Sequence, residues 1–208
     1  MENCRFSWKR TDTRYQSVHG TRVYFDFTIV KMETAELLKV VVEEAQFPRD
    51  VEVVTQLFTS YAASLGIDLS YQSFTTEVQS LPGKYASSDG GALFLAVKTD
   101  ITSTPASPTQ RPSEVIGCVA LRAFNAPQSC ELKRLYITPD NRRFGAGRKL
   151  LERVIEEAKK VGYEEMLLDT LENMTAARKM YREYGFEECE KYYQTPVEGT
   201  AFMRLKLE

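Results

Sequence analysis

Residues 142–149, "RRFGAGRK", place two glycines and three arginines directly before an apolar-periodic stretch. A helix that starts on such a loop points backbone N–H groups and the positive end of its dipole outward, which suits an anion. Gly145 and Gly147 let backbone approach a ligand closely, and Arg142, Arg143 and Arg148 add donors that match phosphate oxygens. Two nucleotide-binding readings fail on spacing. A dinucleotide fingerprint needs a third glycine where Leu150 stands, and a P-loop needs Gly-Lys-Ser/Thr where Gly147-Arg148-Lys149 stands. From the loop alone, an anion cradle and a tight strand-to-helix turn both remain open.

Other chemistry is narrowed by counts. His19 is the only histidine, and Cys4, Cys118, Cys130 and Cys189 lie far apart without a Cys-x-x-Cys pair. That pattern argues against a zinc site, and it removes His-dependent nucleophile pairs unless His19 serves. A net charge of −2 over 208 residues argues against a general nucleic-acid binder. No apolar run reaches membrane-span length and the N-terminus lacks an apolar signal core, so a cytoplasmic protein is expected. A weaker mitochondrial-targeting reading rests on six Lys/Arg against three acids in residues 1–31.

These residues need a scaffold, and periodicity supplies one. Residues 1–35 read as a partly ordered extension with "TRVYFDFTIV" as a candidate strand, and 36–208 as the main domain. Strands are predicted over 37–46, 92–100, 114–124, 130–138 and 164–170, then at "FEECEKYY" (186–193) and "TAFMRLKLE" (200–208). Helical spacing marks 51–65, stopped by Gly66, and a shorter helix over 71–81. It recurs from the glycine loop to Gly162, with Leu150, Leu151, Val154, Ile155, Ala158 and Val161 on one face, and over 173–185. A proline-rich loop fills 101–113. The order gives a mixed α/β sheet domain.

The Arg-x-x-Gly-x-Gly stretch after "LYITP" resembles the acyl-CoA-binding signature of the GNAT superfamily of N-acetyltransferases. A second match follows about 30 residues on, where Asn173, Ala177, Tyr181, Gly185 and Phe186 fit the family's Asn-x-x-Ala-x-x-x-Tyr-x-x-x-Gly-Phe pattern. The likeness covers about residues 36–208, and the upstream segments "ASLGI" and "LPGKY" resemble a small-molecule branch. One departure is Arg143, where the family commonly has glycine.

The resemblance implies a mostly antiparallel sheet with a splayed strand pair and flanking helices. It implies acetyl-CoA as co-substrate, an amine acceptor, and no metal. The pantetheine would pair with the backbone of Leu135, Tyr136 and Ile137, and the diphosphate would meet Arg142, Arg143, Phe144, Gly145, Ala146, Gly147 and Arg148. Asn173 would contact the cofactor arm or orient Tyr181, which would protonate the leaving thiolate. Glu131 is the candidate base, with Asp169 and Glu172 as alternatives, and Cys130 is disfavoured as a nucleophile. By strand phase, Glu131 is expected to share a face with Lys133, Leu135 and Ile137, opposite Leu132, Arg134 and Tyr136. The acceptor pocket is expected between residues 51–81 and 192–196, where Tyr61, Tyr71, Phe74, Tyr192 and Tyr193 line a site or simply form core. A homodimer through the C-terminal strands is a further implication. Besides small-molecule N-acetylation, the sequence leaves a non-catalytic acyl-CoA-binding module and a protein-lysine acetyltransferase open.

Overall fold

A computed structural model describes residues 38–100, 113–125, 128–142 and 144–208. The N-terminal extension with its candidate strand, Cys4 and His19, the loop at 101–112 and Arg143 lie outside the described residues. Seven strands form one sheet in the order β1-β2-β3-β4-β5-β7-β6. They are β1 (Leu38–Glu44), β2 (Ala92–Asp100), β3 (Ser113–Ala123), β4 (Ser129–Ile137), β5 (Glu165–Leu171), β6 (Glu187–Glu188) and β7 (Thr200–Lys206). Every pairing is antiparallel except β4 with β5. The helices are α1 (Val51–Leu65), α2 (Phe74–Gln79), α3 (Ala146–Val161) and α4 (Thr175–Glu183). No helix among the described residues is long and apolar enough to cross a membrane.

Both faces of the sheet are covered, which explains why "ALFLAV" in β2 is apolar without a break. Its Phe94 and Ala96 join the core with α3, while Leu93, Leu95 and Val97 join the core with α1. Helix α1 buries Val54, Leu57 and Phe58 and ends at Gly66, whose φ of 64° is the left-handed stop expected of glycine. Helix α3 buries Leu150, Leu151, Val154 and Ala158, and Gly162 closes it with N–H bonds to Ala158 and Lys159 carbonyls. Val161, expected on that apolar face, is instead exposed at the last turn.

Two expected elements are shorter than their sequence suggests. The helix expected over 71–81 is split: the Asp68 carboxylate accepts the Ser70 N–H ahead of a 3-10 turn at Ser70–Gln72, Ser73 turns left-handed, and only Phe74–Gln79 is α-helical. The strand expected over 186–193 pairs only at Glu187–Glu188. Beyond it the chain leaves the ladder because Tyr192 and Tyr193 turn inward, edge-on to Phe202 at 5.0 and 5.2 Å between centroids.

The feature that shapes the rest is an irregularity in β4. Cys118 pairs with Tyr136 while Ala120 pairs with Lys133, so Arg134 and Leu135 both stand opposite Val119. Arg134 takes the left-handed conformation this bulge requires, with φ of 57°. The extra residue reverses the alternation. Leu135 and Ile137 pack with Leu132 in the α3 core, while Arg134 and Tyr136 share the α1 face with Glu131 and Lys133. The expected phase is therefore corrected from Arg134 onward: sequence alternation cannot register one inserted residue.

Arg134 is held from the opposite side. Its Nε and Nη2 donate to the two carboxylate oxygens of Glu77 on α2 at 2.8 and 3.0 Å, and both side chains are 2% exposed. Tyr85 and Lys84 donate to the same carboxylate at 2.8 and 2.7 Å, and the guanidinium lies over the rings of Phe74 and Tyr61. Burial alone would raise the Glu77 pKa, but Arg134 and Lys84 outweigh it and hold the carboxyl at about 2.

Removing one partner of a pair so deeply buried leaves the other uncompensated. Glu77→Gln is expected to cost about 3 kcal/mol in urea unfolding. Because the folded pKa lies below the ordinary 4.5, Glu77 contributes fully above that value. Its contribution fades as pH falls from about 4.5 towards 2, and an acid titration of the wild type against Glu77→Gln should show the difference vanish in that window.

Candidate active site

The cleft arises where β4 and β5 part. They pair only from Ser129–Glu131 to Glu165–Leu167, yet β4 runs on to Ile137 and β5 to Leu171. Along the unpaired stretch, the β5-facing backbone groups of β4 are not used by the sheet. The gap is a cleft of about 490 Å³, lined by Leu135–Ile137 on one side and by Asn173, Met174 and Tyr181 on the other. Arg142 and Gly147 stand at the end where α3 begins.

That helix start is built from the glycine loop. Gly145 is the N-cap residue with φ of 69°, and no side chain caps the helix. The first backbone bond of the turn runs from Lys149 N–H to Gly145 O at 3.3 Å. The amides of Ala146, Gly147 and Arg148 therefore precede the helical ladder and face outward. A Cβ on Gly147 would meet only Met180 Sδ at 3.8 Å and Ile137 at 3.9 Å, so this glycine keeps the cleft wall low rather than relieving a clash. Unspent amides, a low wall and an unpaired strand edge fit an elongated ligand with an anionic end.

The structure gathers Leu135, Tyr136, Ile137, Arg142, Gly147, Asn173 and Tyr181 around this cleft. Ala146 lies in the core below it, and Phe144 packs on that core beneath Lys98, 5.7 Å from its ring centroid. Arg148 is paired on the surface with Glu183 of α4 and covers the Tyr184 ring. Asn173 precedes α4 without capping it, since Met174 holds the cap position.

Tyr181 is 5% exposed, packs on Phe186 and borders the cleft. Burial pushes its phenol well above the usual range, with Tyr61 and Asp169 adding to the effect, so it stays protonated at any working pH. Glu131 is placed differently. It is fully buried and does not line the cleft. Its Oε2 accepts from Arg122 Nε and Nη2 at 2.6 and 2.5 Å, and its Oε1 accepts from Tyr192 at 2.9 Å and faces Lys133 Nζ at 3.5 Å.

The carboxylate that reaches the site is Asp169. It bridges the strand gap to Lys133 Nζ at 2.6 Å and borders, with Tyr61 and Tyr181, a crevice opening below the cleft. Burial would raise its pKa, but Lys133, with the Tyr193 hydroxyl assisting, outweighs that and lowers it. Lys133, by the same pairing and its contact with Glu131, is held above its ordinary value against burial. Cys130 is buried, and desolvation pushes its thiol up to about 12, so it carries no nucleophilic thiolate at neutral pH. Sequence reasoning missed Lys133, Arg134, Glu77 and Met174. One signal was available: three charged residues inside the otherwise apolar central strand "SCELKRLYI".

Comparison with known proteins agrees with this geometry. The Acetyltransferase (GNAT) family profile matches residues 76–186. An uncharacterized N-acetyltransferase of Schizosaccharomyces pombe is 31% identical over 166 residues, covering 80% of this chain and 94% of that protein. The crystal structure of a GNAT-family acetyltransferase from Staphylococcus aureus Mu50 superposes with a TM-score of 0.62 at 19% identity, covering 82% of this chain and 100% of the other. A Salmonella typhimurium acetyltransferase, solved with its cofactor acetyl-CoA, gives 0.56 at 18% identity, covering 81% and 94%. At these identities the solved structures speak for the fold.

Gly145 and Gly147 should respond differently to a methyl group. Gly145→Ala forces an L-residue to φ of 69° and is expected to lower stability by about 1 kcal/mol. Gly147→Ala has ordinary contact distances and should leave the thermal midpoint within about 2 °C of wild type.

Proposed function

Since the chain belongs to the GNAT acetyltransferase family and is an acyltransferase, we propose that it moves the acetyl group of acetyl-CoA directly onto the primary amine of a small molecule. One observation carries this reading: the cleft between diverging strands joins the uncapped start of α3 to the buried phenol of Tyr181. Support for the cofactor comes from chemical fit. The diphosphate would rest on the amides of Ala146, Gly147 and Arg148 with Arg142 beside them. Arg148 would exchange its exposed pairing with Glu183 for phosphate oxygens. The free edge of Leu135–Ile137 would hold the pantetheine amides, and Asn173 would border the same arm.

Acetyl-CoA supplies an activated thioester, so the chain has three tasks: to orient the amine, to take up its proton and to protonate the departing sulfur. Tyr181 fits the last task because its phenol remains protonated and borders the cleft. The expected base, Glu131, is not the group we assign, because it lies outside the cleft with both oxygens already accepting hydrogen bonds. In this reading Glu131 orients Lys133, which in turn fixes Asp169. Asp169 accepts an N–H of the amine, but its lowered pKa makes it a poor proton reservoir. The amine therefore reacts as its free base and passes its proton on to solvent.

Tyr181→Phe is expected to lower kcat about 100-fold while the Kd for acetyl-CoA, measured by calorimetry, changes less than about two-fold. A Tyr181→Phe enzyme with wild-type turnover would sink the proton-donor role. For the wild type, log kcat/KM for the amine should rise with a slope of about one per pH unit up to the pKa of the acceptor itself.

A further inference from the structure

Two small crevices, each about 20 Å³, lie against Tyr61 and Met174, and Lys133, Arg134 and Asp169 border both. One reaches Tyr181, and the other opens between apolar lips formed by Leu65, Ile67, Leu69, Leu171 and Met174. Spaces of that size each take one small polar head. Which heads they take depends on the charge and hydrogen-bonding capacity left once the surrounding side chains have satisfied one another.

The charge left over is positive. Among the described residues, the ion pairs around the crevices join Lys84 and Arg134 to Glu77, and Arg122 and Lys133 to Glu131, with Asp169 beside Lys133. Four cations thus face three carboxylates. The donors left over sit on the same walls. Arg134 holds Glu77 with Nε and Nη2, while its Nη1 has no hydrogen-bond partner among the described residues and is not sealed from solvent. The Tyr61 hydroxyl likewise makes no hydrogen bond among them, and its oxygen lies within electrostatic reach of Arg134, Asp169 and Lys133. Acceptors remain as well. Gln72 donates to the hydroxyls of Tyr71 and Tyr193, but its Oε1 is buried without a partner. Asp169 keeps lone pairs beyond those taken by Lys133 and Tyr193.

One excess positive charge, unused donors and unused acceptors on shared walls fit a ligand that carries an anion next to an amine. We infer that the acceptor is a free α-amino acid with an apolar side chain. Its carboxylate is held by Arg134 Nη1 and the Tyr61 hydroxyl, and its amino N–H groups by Asp169 and Gln72 Oε1. The inference rests on the acetyl-transfer reading for its chemistry and narrows its substrate class. The carboxylate neutralises the surplus charge and accepts from a guanidinium already fixed by Glu77, so little ordering remains to be done on binding. The apolar lips leave room for an aliphatic or aromatic side chain and would desolvate a charged one. Transfer makes the N–C bond and breaks the C–S bond. One proton passes from nitrogen to solvent and one from Tyr181 to sulfur, and solvent reprotonates Tyr181.

The test sets L-leucine, L-methionine and L-phenylalanine each against its own carboxamide on the full chain. Each pair keeps its shape and loses only the negative charge. The carboxamide's amine is also the less basic, because the neighbouring carboxylate that favours the ammonium form is gone, so the free-base bias runs against the expected result. Transfer is followed by thiol release, and binding is measured by calorimetry in the presence of coenzyme A. In at least one pair, kcat/KM and affinity should favour the acid by about ten-fold or more. Arg134→Lys, which cannot hold Glu77 with a fork and still offer a further donor, and Tyr61→Phe should each weaken binding of that acid about ten-fold. The acetyl-CoA Kd should stay within about two-fold of wild type in both. Carboxamides matching or exceeding their acids in every pair would overturn the inference while leaving acetyl transfer intact. Selective binding of an acid with transfer to none of the six compounds would uphold the carboxylate seat and remove the small-amine transfer reading. Absence of both binding and transfer in all three pairs would overturn the inference. The wild-type comparison stands without the variants, so it decides even where a variant folds poorly.

Discussion

A β-strand in the middle of a sheet has two edges, and both normally carry hydrogen bonds. In this protein β4 keeps β3 along its length but loses β5 after three residues. Everything at the candidate site depends on that parting. It exposes a run of backbone polar groups, which would be costly in a dry core, and it opens the space in which a ligand can meet them. The bulge at Arg134 and Leu135 accompanies the parting: one additional residue on β4 turns the end of the strand and re-aims its side chains.

Such a gap needs to be held open and kept from collapsing, and buried charge serves that role. Lys133 and Asp169 span the gap between the two strands at 2.6 Å. Arg134, set in a left-handed conformation, is clasped by Glu77 and lies over two rings. Buried pairs of this kind add little net stability compared with apolar packing, because desolvation offsets their attraction. Their value lies in geometry. Each charge has one well-satisfied arrangement, so α1 and α2 are fixed against the very segment of β4 that changes phase. Residues 61–85 and the unpaired edge of β4 are thereby coupled through a few side chains.

The same network divides the labour among carboxylates. Glu131 and Glu77 are consumed in holding Lys133, Arg122 and Arg134, whereas Asp169 has one oxygen tied to Lys133 and still borders the crevice. Tyr181 sits across that crevice with its proton retained by burial. A weakly basic carboxylate and a firmly protonated phenol suit a transfer in which the donor is already activated. The heavier demand then falls on positioning, which the strand gap and the uncapped helix provide.

Much of this was legible in the chain. Apolar runs marked β2 to β5, Gly66 and Gly162 marked helix ends, and the pairing of Arg142-x-x-Gly145-x-Gly147 with the Asn173 to Phe186 pattern marked the family and the cleft walls, because these are local and periodic signals. Tertiary structure alone decided the face on which each β4 side chain stands, since a single bulge reverses the alternation that sequence reading must assume. It also decided that Glu131 is enclosed by Arg122, Tyr192 and Lys133 while Asp169 is not, because Arg122 and Tyr192 reach Glu131 from positions 9 and 61 residues away. Residue type and spacing specify what a side chain can do; which partners consume that capacity is settled only when distant segments pack together.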